Sequence, residues 1–241
     1  MTDLIHTSCP GSILRLTLNR APVNALSAAF LMDFADAVDR FVADDGQRAL
    51  VIDSGLGVFS AGLDLKAAQH FDAEGQRAIV AGLNRAFLAL YACPKPVVVA
   101  VNGAAIAGGL FFVLAADARL GTARARLGLA EIRVGVDFPV APMEIARAAL
   151  APDDLRLLML GGHPIGAEDA LRRGILDSIV APEALGDAAL EAAAHPPGAF
   201  ARVKAQIRGD TCDAIRARIA TGPQGDWFTG ETVAAMRAMI G

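Results

Sequence analysis

The sequence predicts an α/β fold, because segments of strand character and segments of helical periodicity alternate along its 241 residues. Two observations carry the prediction. Val97-Val98-Val99-Ala100-Val101 is an apolar, mostly β-branched run bounded by Pro96 and Asn102-Gly103, as expected of a buried strand. Phe30, Phe34, Val38 and Phe41 recur at spacings of three and four behind Ser27, which gives a helix with an apolar stripe and an N-cap.

The remaining elements follow in order. Ser12 to Leu18 reads as a strand through Ile13, Leu14, Leu16 and Leu18, ended by Asn19-Arg20-Ala21-Pro22. Ala49 to Asp53 is a second buried strand, and Gly55 to Gly62 a glycine-rich loop. A helix from about Asp72 to Tyr91 places Ile79, Leu83, Phe87 and Leu90 on one face. After strand 97–101 and its turn, a helix runs from Gly108 to about Ala116. Arg119 to Thr122 and Arg126 to Leu129 read as short strands. The chain after Met143 is mainly helical, with one strand at Ile175 to Val180. This gives a core over residues 1–181 and a helical C-terminal region over 182–241.

Composition narrows the class. Hydrophobic residues make up 54% and charged residues 20%, which excludes a disordered chain. Twenty-two Lys and Arg against 26 Asp and Glu give a net charge of −4, which favours neither nucleic acid nor an anionic membrane. Cys9, Cys93 and Cys212 are odd in number and widely spaced, so they form no disulfide framework and fit a reducing cytoplasm. The N-terminus lacks the basic stretch and apolar run of a signal peptide. From Val97 to Ala116 the only polar side chain is Asn102, long enough for a membrane span of ~20 residues. The β-branched run, the Asn102-Gly103 break and Gly108-Gly109 favour a buried strand, turn and helix instead.

Several motifs fail on inspection. Gly55-Leu56-Gly57-Val58-Phe59-Ser60 lacks the third glycine of a dinucleotide fingerprint, and Gly62 interrupts any long helix there. Phe59-Ser60-Ala61-Gly62 lacks the first glycine of a nucleophile elbow. His6, His70, His163 and His195 form no metal-ligand pair and read as surface or packing residues. Two loops remain, Val58 to Leu65 and Asn102 to Gly109, each following a strand and rich in small residues. Their spacing allows either tight strand–helix packing or a pair of backbone N–H groups converging on one oxygen.

Taken together, the loops resemble those of the crotonase family, the enoyl-CoA hydratase/isomerase superfamily. Leu16 to Leu26 looks like the family's N-terminal signature, Val58 to Leu65 its first oxyanion loop, and Lys95 to Gly109 its second, closing with Ala116-Asp117-Ala118-Arg119. Gly166 to Ala170 and Gly174 to Asp177 match the usual C-terminal stretch. The resemblance implies a superhelix of repeated ββα units and an acyl-CoA substrate, with coenzyme A as part of the substrate and neither further cofactor nor metal. It also implies a homotrimer or hexamer, an assembly that would cover surplus apolar surface. This chain is shorter than typical members, so helices that pack on a neighbouring subunit would be trimmed.

The resemblance assigns the thioester oxygen to the backbone N–H groups of Leu63 and Gly108, and Glu131 to proton transfer. It places Ser60, Ala61, Gly62, Asp64, Leu65, Ile106, Gly109, Phe111, Ala130 and Asp137 around the substrate. Family hydratases carry two glutamates; the first position is Phe111 here and the second is Glu131. One acid without the other is the pattern of Δ3,Δ2-enoyl-CoA isomerases. Hydration or another crotonase reaction, using Glu131 and Asp137, is the alternative, and a non-catalytic acyl-CoA-binding subunit is a third. Phe111 and Phe112 imply a narrow apolar pocket, Asp137 before Pro139 also suits a plain turn, and Lys66 either meets CoA phosphate or is simply solvated.

Overall fold

The computed structural model describes residues 3–193, 196–222 and 227–240. Its main sheet has six strands in the order β1, β2, β4, β6, β8, β11: Leu4–Cys9, Ile13–Leu18, Ala49–Ser54, Val97–Val101, Ala118–Gly121 and Ser178–Ile179. The β1–β2 pair is antiparallel and the others parallel. Short strands form a second layer. β3 (Ala25–Leu26) pairs with β5 (Gly62–Leu63), while β7 (Ala104–Ile106) and β10 (Ile165–Gly166) flank β9 (Arg126–Gly128). A bridge between Ser60 and Ala105 links the two groups. β2, β4, β6 and β8 are thus each followed by a short second-layer strand, and the chain winds as a superhelix.

Helices close each turn of that winding. Ser27 caps α1 (Ala28–Ala43), its hydroxyl accepting from the Phe30 amide at 3.2 Å, and Phe30, Phe34, Val38 and Phe41 are buried as expected. Asp64 caps the short α2 (Leu65–Ala68), and Asp72 caps α3 (Ala73–Ala92) by accepting from Gly75 N at 2.8 Å. α4 (Leu110–Ala115) is buried along its whole length; α5 (Val140–Ala149), α6 (Pro152–Gly161) and α7 (Ala167–Arg172) follow. α8 (Leu185–Ala192) packs Leu185 and Ala189 with Val51, Val98 and Ala100 of the main sheet. α9 (Pro197–Ala220) is fastened to the core by buried charge. Lys204 Nζ lies 2.6 Å from Asp117, and Arg208 donates to Tyr91 O and Ala115 O at the ends of α3 and α4. α10 (Gly230–Ile240) ends the described chain.

Three expectations are corrected. The helix expected from Gly108 is split: Ala104–Ile106 is a strand, Ala107–Gly109 a 3-10 turn, and only Leu110–Ala115 is α-helical. The strand expected over 175–180 shrinks to Ser178–Ile179, because the amides of Ile175 and Leu176 both turn back to Ala170 O, at 2.8 and 3.1 Å. Arg126–Gly128 stops one residue short of the expected strand. Among the described residues no helix is long and apolar enough to cross a membrane; Val97–Ala116 is broken into strands and a short helix. Cys9, Cys93 and Cys212 are free thiols, and His195 lies outside the described residues.

Candidate active site

The site begins where the two glycine-rich loops lie side by side. The Phe59 and Ser60 amides both donate to Ala104 O at 2.9 Å, and Ile106 N–H returns a bond to Ser60 O at 2.9 Å. The buried Ser60 hydroxyl donates to Asn24 O at 2.8 Å and accepts from Gly62 N–H at 3.2 Å. Contact is close enough to exclude side chains. Gly62 sits at φ +79°, and a Cβ there would fall 2.7 Å from Ile106 O and 3.0 Å from Gly108 N. A Cβ on Gly109 would fall 2.6 Å from Ser60 O.

This packing fixes the backbone at Leu63 and Gly108. Gly108 lies in the opening turn Ala107–Gly109, where N–H groups have no partner within the helix and the dipole favours negative charge. Ala107, at φ +51°, holds a left-handed backbone to make that turn. On the other loop, Asp64 N–H bonds to Leu26 O at 3.1 Å, which sets the phase of the β3–β5 pairing and turns the Leu63 amide away from β3. Leu63 and Gly108 both line one cavity of about 120 Å³.

Glu131 completes that cavity. It opens a 3-10 turn, Glu131–Val134, and is 8% exposed. Glu131 is the only charged side chain among the described lining residues. Its Oε2 is buried without a hydrogen-bond partner. Loss of water pushes the carboxyl up to about 8, against the opposing pull of hydrogen bonds from its own amide and that of Ala130. Phe111 lines the same cavity, packed edge-on to Phe138 at 6.1 Å and tilted against Phe87 at 5.5 Å. The C-terminal segment holds the chain beyond Glu131: Thr232 Oγ1 donates to Gly135 O at 2.6 Å, and Trp227 Nε1–H to Asp137 O at 3.2 Å.

The structure sorts the expected site residues. Ala61, Leu63, Leu65, Ile106, Gly108, Phe111, Ala130 and Glu131 line the cavity together. Ser60, Gly62 and Gly109 lie outside its lining and instead join the loops. Asp64 caps α2 and pairs with Arg20 at 3.2 Å, so its carboxylate positions the loop. Asp137 is exposed and outside the lining, and its carbonyl accepts from Trp227, which suits the plain turn before Pro139. Lys66 is exposed on α2, and Phe112 packs in the core against Phe34 at 4.9 Å. Sequence reasoning did not assign Leu83, Ala107, Val134, Val136, Phe138, Pro139, Pro142, Trp227 and Met239 to the wall. No local pattern in the sequence marks them as wall residues.

Two glycine-rich loops and one buried carboxylate share a cavity, an arrangement that suits catalysts which stabilise an oxyanion while moving a proton beside it. The sequence profile of the family described as Enoyl-CoA hydratase/isomerase matches residues 8–220, and the chain belongs to that family. It is an enzyme of the crotonase superfamily with the crotonase fold. Carnitinyl-CoA dehydratase of Escherichia coli K12 is 35% identical over 198 residues, 80% of this chain and 74% of that protein. A Mycobacterium tuberculosis protein described as a probable enoyl-CoA hydratase superimposes with TM-score 0.82 and 30% identity, over 91% of this chain and 94% of that one. A second structure of that protein, described as an enoyl-CoA isomerase, gives TM-score 0.80 and 28% identity over 98% of each chain.

Proposed function

We propose that the protein is an enoyl-CoA isomerase that shifts a 3-enoyl double bond to C2, with Glu131 as the only acid/base. The observation behind this reading is the pairing of Glu131 with Phe111 in a cavity whose other described lining residues are uncharged. The Leu63 and Gly108 amides hold the thioester oxygen. Glu131 takes a proton from C2, the electron pair spreads into a dienolate ending on that oxygen, and the same carboxyl returns the proton to C4. The double bond then lies between C2 and C3, and no atom is gained or lost. Removing one oxyanion donor of this kind costs ~3–4 kcal/mol of the barrier. A carboxyl held at about 8 is basic enough to accept a proton and acidic enough to give it back. The uncharged surroundings of Glu131 support the reading; the mycobacterial relative carries both descriptions, hydratase in one structure and isomerase in the other.

A second reading, hydration or dehydration, draws on the names of the carnitinyl-CoA dehydratase relatives. Expelling or adding a hydroxyl at C3 calls for a group that protonates or deprotonates that oxygen, and a phenyl ring does neither. A panel of 3-enoyl-CoA and 2-enoyl-CoA thioesters, read by product mass, separates the two. The isomerase converts the 3-enoyl substrate without change of mass. Comparable addition of water to the 2-enoyl substrate would overturn it, and no turnover of either would leave an acyl-CoA-binding subunit. On this reading CoA is part of the substrate, no metal takes part, and the working unit is a homotrimer or hexamer in the cytoplasm.

A further inference from the structure

One wall of the cavity comes from the end of the chain, far in sequence from both loops and from Glu131. Trp227 lines it beside Val136 and Phe138, all apolar. The indole is fixed from two sides. Its N–H is tied to Asp137 O at 3.2 Å, and its ring stacks on Phe228 at 4.9 Å and 27°. Phe228 in turn lies parallel to Phe71 at 6.4 Å, and its amide donates to Gln76 Oε1 at 2.9 Å. Trp227 is therefore anchored to α3 and to the loop beyond Glu131. The wall suits hydrocarbon: a phosphate or pantetheine amide placed there would find no charged partner among the described lining residues except Glu131, which would repel phosphate. The space is small and open on one side. An apolar cavity of ~150 Å³ accommodates one benzene, and this one is about 120 Å³.

We propose that Trp227 is the specificity-determining residue of the acyl site, its indole forming the wall that limits the acyl group to a short chain of about four to six carbons. The inference rests on the acyl-CoA reading above and goes beyond it by naming the substrate's size class and the residue that sets it.

Trp227 is the only tryptophan, so its emission reports on this wall directly. The probes are free CoA and the unreactive butyryl-, hexanoyl-, octanoyl- and decanoyl-CoA. Butyryl- and hexanoyl-CoA change the emission of the wild type while free CoA leaves it unaltered. Affinity, measured by calorimetry, falls roughly tenfold or more from hexanoyl to decanoyl, the scale of misfit in an apolar pocket. Trp227→Ala removes that fall, and Trp227→Phe, which keeps a ring in place, preserves most of it. Three results overturn the proposal while sparing the acyl-CoA reading: an emission change with free CoA alone, acyl-CoA binding without an emission change, or an unaltered length profile in Trp227→Ala. Absence of binding at every chain length would overturn both. Should Trp227→Ala fail to fold, the wild-type titration still decides.

Discussion

The two sides of the cavity are built on different principles. The loop side, proposed to hold the thioester oxygen, is main chain, held by reciprocal hydrogen bonds between the 59–62 and 104–106 segments and by glycines that allow no side chain between them. The acid side is one carboxylate on a short 3-10 turn, with a phenyl ring as neighbour and the C-terminal segment holding the loop beyond it. The first is over-determined, since many separate contacts fix the same two loops. The second depends on single residues, so single substitutions should change its chemistry without disturbing the fold.

The largest effect should follow from the acid side. Glu131→Gln removes the proton shuttle but not the shape of the cavity, and turnover should fall by roughly 10²–10⁴ with acyl-CoA binding retained. Undiminished turnover would move the base elsewhere. On the loop side, Gly62→Ala would force a methyl group against Ile106 O and Gly108 N. Displacing one donor should cost about 10²–10³ in kcat. Unlike Glu131→Gln it should also lower the Tm, because the two loops are wedged apart.

Phe111→Glu sharpens the contrast differently, by adding chemistry. A second carboxylate beside Glu131 would be desolvated and repelled, so one of the pair should hold its proton at neutral pH. Some hydration of a 2-enoyl-CoA should then appear, read as loss of the conjugated thioester's absorbance, even at a stability cost of a few kcal/mol. No hydration at all in a folded variant would show that more than Phe111 separates this site from a hydratase.

The burial of Glu131 also has a signature in stability. Its carboxyl is raised in the fold to about 8 from 4.5, so folding favours the protonated form. That contribution is complete below the unfolded value and is lost as pH rises through about 8. At ~1.4 kcal/mol per pH unit the loss is of order 5 kcal/mol. Glu131→Gln should therefore be more stable than the wild type at pH 9 and closely matched at pH 4, by denaturant titration at each pH. A difference independent of pH would contradict the burial argument. The smallest effect expected is from Thr232→Val, which leaves Gly135 O without its partner, at about 1–2 kcal/mol.

What could be read in advance follows the same division. The buried Val97–Val101 strand and the stripe of α1 are local signals of period and composition, and the structure agrees with both. The two loops were legible because close backbone approach restricts the residue type at each contact, as at Gly62 and Gly109. β3, β5, β7 and β10 were not, because strands of two or three residues are too short to show alternation. Trp227 and Met239 were hidden for another reason: their place in the wall is set by how the C-terminal segment packs on the Glu131 turn and α2, and no local pattern records that. Asp137 shows the reverse, a residue of the right chemistry near Glu131 in sequence whose carboxylate faces solvent.

The central claim is that one buried carboxyl both removes and returns the proton. A 3-enoyl-CoA carrying deuterium at C2 tests it, with turnover in ordinary water and the product examined at C4. A single shuttle shielded from solvent, as Glu131 is at 8% exposure, predicts that part of the deuterium taken from C2 is recovered at C4. Only protium at C4, in every turnover, would contradict the account and require a separate acid in contact with water.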